Sequence, residues 1–255
     1  MNLQAAIDAI WEHKQQGIYY PPDWRGKLDV DTGYRVQLGI LAREIKAGAQ
    51  HVGWKVGLTA KAIQDQVDFH ERVFGYLLAA GELPSGVQLA FDELVAPSFE
   101  NELLVVLGEP LKGPDVTPEQ AFDAITGVAP AIEIVEKRGD FAADPPLSLA
   151  DNVQQKAFVV GPLTSPLPPK TDLRESRVEI YINGECVDTA AGEEVMGGPA
   201  ASVAWLANRL ADFGRRLEPD SRILTGSLTR QFPIARGDLI EARFDPFGAV
   251  TFEVV

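Results

Sequence analysis

The chain has 255 residues, 45% of them hydrophobic and 24% charged, and its 23 Lys and Arg against 37 Asp and Glu give a formal net charge of −14. That length and apolar content suffice for a substantial core and exclude a disordered chain, while the acidic balance excludes nucleic acid and anionic membrane as main partners, since both require net attraction to phosphate. A single cysteine, Cys186, leaves no intramolecular disulfide, Asp8, Glu12 and Lys14 break the apolar stretch a signal peptide needs, and no run approaches the ~20 apolar residues of a spanning helix, so the expectation is a soluble, cytoplasmic protein.

In chain order, Leu3, Ala6, Ile7, Ile10 and Trp11 recur at helical spacing with Asn2 available as a cap, which predicts a helix over 3–16. A second helix is expected from a Thr32 cap through Tyr34, Leu38, Leu41 and Ile45, ending near Gly48. From about His51 the texture becomes short β-like runs broken by Gly and Pro: 102–107, 131–135, 178–182, 239–244 and 250–255. Two helices interrupt them, one opened by the capping-box pair Thr117 and Gln120, the other carrying Val203, Leu206, Leu210 and Phe213 before Gly214. The proline-rich stretch from Gly161 to Asp172 reads as an ordered loop or linker, and no internal repeat is present. The division expected is a helical segment over 1–50 and a sheet-rich body over 51–255.

Chemistry concentrates in a few places. In Pro97-Ser98-Phe99-Glu100-Asn101-Glu102-Leu103-Leu104-Val105-Val106-Leu107, the two-residue period of a strand places Glu100 and Glu102 on one face with Leu104 and Val106. Like charges on an apolar face call for a counter-ion, and oxygen ligands suit a divalent cation; the competing reading is the solvated end of an edge strand. Glu133, inside Ala131-Ile132-Glu133-Ile134-Val135, also needs a partner if buried, and could join the pair around Mg²⁺ or Mn²⁺; otherwise it faces outward from a half-exposed strand. Lys55 sits between the glycines of Gly53-Trp54-Lys55-Val56-Gly57, where a buried amine would bind a carboxylate or move a proton, against the plainer reading of a surface lysine. Arg230, ending Ser227-Leu228-Thr229-Arg230, is either a bidentate carboxylate clamp or an ordinary surface arginine. His70-Glu71 begins like a zinc-protease motif but Phe74 replaces the second histidine, and neither a nucleophile elbow nor a phosphate-binding loop occurs.

These segments, together with Ala150-Asp151-Asn152, 203–208 and 223–227, stand in the order found in the hydratase and decarboxylase branch of the fumarylacetoacetate hydrolase superfamily, which the chain resembles from about Thr32 to its end. The resemblance implies an α+β fold, a mixed β-roll with flanking helices and an N-terminal helical segment, and a homo-oligomer. It implies that Glu100, Glu102 and Glu133 hold Mg²⁺ or Mn²⁺, that Lys55 is catalytic and orients substrate, and that Leu103, Ser227 and Arg230 contribute to the substrate site. The implied activity is that of a lyase on small 2-oxo acids, a 2-oxo-4-pentenoate hydratase of aromatic-compound degradation, with 4-oxalocrotonate decarboxylase as the alternative and a dicarboxylic substrate suggested by Arg230.

Two departures from the family pattern bear on this. Val73 stands in Arg72-Val73-Phe74-Gly75 where hydratases of this type often carry an acid, and Val153-Gln154-Gln155-Lys156 replaces small residues after Asn152, enlarging and polarising that wall. They motivate a reading from another class, a catalytically silent binding or assembly subunit.

Overall fold

The computed structural model describes residues 2–255, apart from the side chains at positions 62 and 66. In chain order its main elements are α1 (Leu3–Gln15), α2 (Val30–Lys46), β1 (His51–Gly57), α3 (Lys61–Val67), β2 (Val73–Leu78), β3 (Glu82–Pro84), β4 (Val87–Leu89), β5 (Pro97–Leu107), α4 (Pro118–Asp123), β6 (Ile125–Glu136), α5 (Pro145–Ala150), β7 (Gln155–Val160), β8 (Arg177–Ile182), β9 (Glu185–Ala191), α6 (Pro199–Ala211), β10 (Arg222–Leu224), β11 (Phe232–Pro233), β12 (Leu239–Asp245) and β13 (Gly248–Val254).

The Asn2 carboxamide caps α1 by accepting from the Gln4 and Ala5 N–H groups, as its position in the sequence predicts. The second helix starts two residues before the expected Thr32 cap. Asp29 takes that role, its Oδ1 accepting from Thr32 N at 2.7 Å, because an acceptor three residues upstream of a free N–H is the N-cap geometry. Helix α2 serves two apolar clusters: Val36 and Ile40 pack with Ala6, Ile7 and Ile10, whereas Tyr34, Leu38 and Leu41 join the main core. The capping box at Thr117 and Gln120 is present, and α6 ends at Ala211, so Phe213 packs on the core from beyond the helix.

The strands form two sheets. The larger runs β2-β1-β10-β5-β6-β7-β3, with β11 added beside β5, and the smaller runs β4-β13-β12-β8-β9. One face of the large sheet (Phe99, Leu103, Val105, Ile132, Ile134) packs with the smaller sheet (Val178, Ile180, Ile240, Phe244, Phe252) and α6 (Val203, Leu206, Leu210) in the principal core. The other face carries a separate apolar group, Leu77, Leu104, Ala131, Phe158 and Leu224. Cross-strand register places Lys55, Glu102 and Glu133 on this second face, since Lys55 lies opposite Leu224, Glu102 opposite Ala131 and Glu133 opposite Phe158. The mixed strand directions and segregated helices make this the α+β fold expected. Among the described residues, no helix is long and apolar enough to cross a membrane.

Candidate active site

Strands β5 and β6 are long because their residues are apolar on both faces; β6 is buried along its whole length except at Thr126. Into that pairing the sequence inserts three carboxylates. Glu100 and Glu133 stand directly opposite each other, Glu102 is two residues further along β5, and one ligand oxygen from each lies within 4.8 Å of the others. Glu102 and Glu133 are both 0% exposed and Lys55 is 3% exposed, while Glu100 remains partly open to solvent. Both plain readings from the sequence, a solvated edge for the pair and an outward face for Glu133, are thereby set aside, and so is a surface position for Lys55.

The cluster has too few donors for its charge. Glu102 Oε2 accepts from Gly226 N at 2.6 Å and Glu100 Oε1 accepts from Gln231 Nε2 at 3.0 Å. Glu133 pairs with Lys55, Nζ to Oε1 3.4 Å, but neither of its oxygens accepts a hydrogen bond, nor does Glu102 Oε1. Burial, then the neighbouring Glu133 and Glu100 charges, push Glu102 well above the usual carboxylate range. Burial likewise pushes Glu133 up to about 7, against the pull of Lys55. Three carboxylates and one ammonium leave an excess of negative charge in a place without water's dielectric, which protons or a cation must balance. Orphaned buried oxygens converging on one point are the donor set of a hard divalent cation such as Mg²⁺ or Mn²⁺, so the residues present fit such an ion.

The wall around the cluster comes from distant segments. Lys55 Nζ also lies 3.4 Å from the Val153 carbonyl oxygen. Gly226 adopts φ +110°, and a Cβ there would collide with Thr59, so this turn can deliver its N–H to Glu102 only as glycine. Asn101 donates to Thr229 Oγ1 at 2.5 Å, tying the 227–231 segment to β5. Ser227 Oγ is buried without a partner. Arg230 is exposed, with its guanidinium 4.1 Å over the Phe232 ring, and Leu103 points to the opposite face of β5, in the principal core. Val73 is buried in that same core, and the Gln154 amide donates to the Tyr20 hydroxyl and the Gly139 carbonyl. Two open cavities, about 630 Å³ beside His51 and Arg215 and about 650 Å³ beside Arg174 and Glu193, include none of the cluster residues. Sequence reasoning missed Gln231 and Gly226 as partners of the carboxylates; the glycine at the close of Ile223-Leu224-Thr225-Gly226 was the available signal.

A family model described as Fumarylacetoacetate (FAA) hydrolase C-terminal matches residues 82–255. The chain belongs to the fumarylacetoacetate hydrolase family. It is 33% identical over 230 residues to the 2-hydroxyhexa-2,4-dienoate hydratase of Comamonas testosteroni, covering 89% of this chain and 87% of that one. It is 34% identical over 219 residues to a 4-oxalocrotonate decarboxylase of Pseudomonas sp. strain CF600, covering 86% and 83%. Among solved structures, the 4-oxalocrotonate decarboxylase of Pseudomonas putida G7, complexed with magnesium and adipate, superposes with a TM-score of 0.91 at 31% identity over 99% of this chain and 97% of that one. This family member is a lyase-type enzyme, and the superposition includes the N-terminal helices that lie outside the family model.

Proposed function

We propose that this chain is a divalent-metal-dependent hydratase that adds water to a 2-hydroxypenta-2,4-dienoate or a related 2-oxo acid in the breakdown of aromatic compounds. The observation that carries the reading is the closed group of Glu100, Glu102 and Glu133, with oxygens left unpartnered beside a buried lysine. Those three residues would hold Mg²⁺ or Mn²⁺, and the ion, when bound, supplies Lewis-acid stabilisation of enolate charge on a chelating 2-oxo acid.

The rest is work for the protein's own side chains. Hydration of the dienol adds protons at C3 and C5 and hydroxide at C4 while the C2 hydroxyl gives up its proton to become the ketone, a net gain of one water that yields the 4-hydroxy-2-oxo acid. Lys55 Nζ, between Glu133 and the Val153 carbonyl, would move a proton or hold the substrate carboxylate. Gly226 N–H fixes Glu102 and the Gln231 amide fixes Glu100, so the carboxylates keep their convergence before any ligand arrives. The apolar residues Leu104, Leu224 and Phe158 on the same face exclude water from the inner side. Ser227 and Arg230 lie on the segment bordering the partly exposed Glu100, the side from which substrate would enter, with Arg230 offered to a distal carboxylate.

A second reading, 4-oxalocrotonate decarboxylation, is favoured by Val73, which leaves no acid at that position, and by the likeness over the full chain to a decarboxylase that binds magnesium and a diacid. Metal-loaded enzyme incubated with 2-hydroxypenta-2,4-dienoate and with 4-oxalocrotonate, followed by ultraviolet absorbance and CO₂ release, separates the two. Water addition without CO₂ supports the hydratase; CO₂ from the diacid alone supports the decarboxylase; turnover of neither overturns both. A homo-oligomer is part of the same reading, with exposed Ile18, Ile45, Val95, Leu163 and Leu239 as candidate contact residues, and sedimentation measures it. A cytoplasmic setting accords with the free, exposed Cys186 thiol.

A further inference from the structure

Asn152, Val153 and Gln154 form three consecutive left-handed residues, with φ of 56°, 51° and 62°. None is glycine, and Val153 (ψ 36°) is β-branched, the side-chain type for which this conformation is most strained. Such a run persists only where its surroundings over-determine it, and here three anchors do so. On one side Arg138 Nε donates to Asp151 Oδ2 at 2.7 Å, and Arg138 also donates to the Asp151 and Gln155 carbonyls. On the far side the Gln154 amide donates to the Tyr20 hydroxyl and the Gly139 carbonyl. In the middle the Asn152 carboxamide pairs with both backbone groups of Tyr76: Oδ1 accepts from Tyr76 N at 2.7 Å and Nδ2 donates to Tyr76 O at 3.0 Å.

The product of this construction is the Val153 carbonyl, aimed at Lys55 Nζ from 3.4 Å. We propose that Asn152 is a positioning residue for Lys55, holding the left-handed 152–154 run against β2 so that the Val153 carbonyl fixes the direction of the ammonium beside Glu133. Gly75 is the counterpart in β2. It pairs with Lys55 in the β1–β2 register, and a Cβ there would come within 2.9 Å of Asn152 Oδ1, 3.1 Å of Asn152 O and 3.3 Å of Lys55 Cε. Three groups, from β1, β2 and the 152–154 turn, therefore meet at one point that tolerates no added atom.

The proposal rests on the functional reading above for its consequence, though not for its geometry, and two readouts separate them. Asn152→Gly removes the carboxamide while accepting φ 56° without strain; Gly75→Ala keeps the carboxamide and presses on it. In metal-free protein, acylation of Lys55 by an activated acetyl ester, mapped by mass spectrometry against the other lysines, rises about tenfold in both variants if the turn holds the side chain. An unchanged Lys55 rate in Asn152→Gly overturns the proposal whatever the enzyme does. In Mn²⁺-loaded protein, calorimetric titration with oxalate completes a double-mutant cycle with Lys55→Met. Asn152→Gly weakens oxalate about tenfold in the Lys55 background and less than twofold in the Lys55→Met background if it acts through Lys55. An equal factor in both makes Asn152 merely structural and overturns the proposal. Failure of the unmutated protein to bind oxalate with Mn²⁺ counts against the functional reading and leaves the acylation result to decide this one.

Discussion

Lys55 Nζ lies 3.4 Å from Glu133 Oε1 although β10 and β5 stand between their strands in the sheet order. Neighbouring strands are about 4.8 Å apart, so two groups three strands removed can meet only because the sheet curls and their long side chains reach across the same face. The curl converts three ordinary strand positions into a closed site, and it makes the cluster's electrostatics a property of the fold.

That crowding predicts a trade between stability and binding. Glu102→Gln keeps an acceptor for Gly226 N–H but removes a buried carboxyl whose ionisation burial and two neighbouring acids oppose. Metal-free Glu102→Gln is expected to be more stable than the parent by on the order of 1–2 kcal/mol at pH 7.5, with the gain gone at pH 4, while Mn²⁺ affinity falls by at least tenfold. Thermal melts with and without chelator check both. Equal Mn²⁺ affinity would remove Glu102 from the ligand set.

Glu133 sets a pH dependence for the metal. Its folded value of about 7 lies above the ordinary 4.5, so in metal-free protein the associated stability is fully present below about pH 4.5 and is lost as pH rises through 7. A bound cation requires the ionised form, so Mn²⁺ displaces a proton and its apparent affinity rises between pH 5 and 8. Calorimetry in two buffers of different ionisation enthalpy measures the proton released. A pH-independent affinity with no proton release contradicts the assignment.

A second titration lies away from the site. Burial, with a smaller push from Arg215, lowers His51 from 6.5 to about 4, and its Nε2 has no partner. Between those values the unfolded chain binds a proton the folded chain refuses, so stability falls as pH drops from 6.5 towards 4. His51→Gln is expected to flatten that decline by on the order of 1–2 kcal/mol, read from urea melts at pH 7 and pH 4.5. Parallel declines in parent and variant would assign the acid sensitivity elsewhere.

Arg230 tests the choice of substrate. It makes no ion pair with any described carboxylate, its guanidinium resting over Phe232. If it meets a distal carboxylate, Arg230→Ala raises KM for diacids about tenfold relative to monoacids, the equivalent of a charge-assisted hydrogen bond worth ~1.5–3 kcal/mol. An unchanged ratio of diacid to monoacid activity refutes the role.

Much of this was legible in the sequence because the informative residues break a pattern. A glutamate in the apolar run of β6 and two on one face of β5 stand out against strands that are otherwise buried, and Asn2, Thr117 and Gln120 announce helix starts through local hydrogen bonds that need only neighbouring residues. What was not legible depends on long-range closure. Gln231 meets Glu100 across 131 positions and Gly226 meets Glu102 across 124, with no period to link them. Helix α5, two prolines followed by four buried residues, is too short and too apolar to show a helical stripe. Gln154 reads as a polar lining residue because its left-handed backbone, which turns the amide to Tyr20, is held by contacts distant in sequence, Arg138 on Asp151 and Tyr76 on Asn152.

The most direct test of the central claim is anomalous diffraction from crystals soaked in Mn²⁺. A single strong peak bounded by carboxylate oxygens of Glu100, Glu102 and Glu133 is the result this account predicts. Absence of a peak there at saturating Mn²⁺, or a peak held by other residues while these three turn apart, would contradict it.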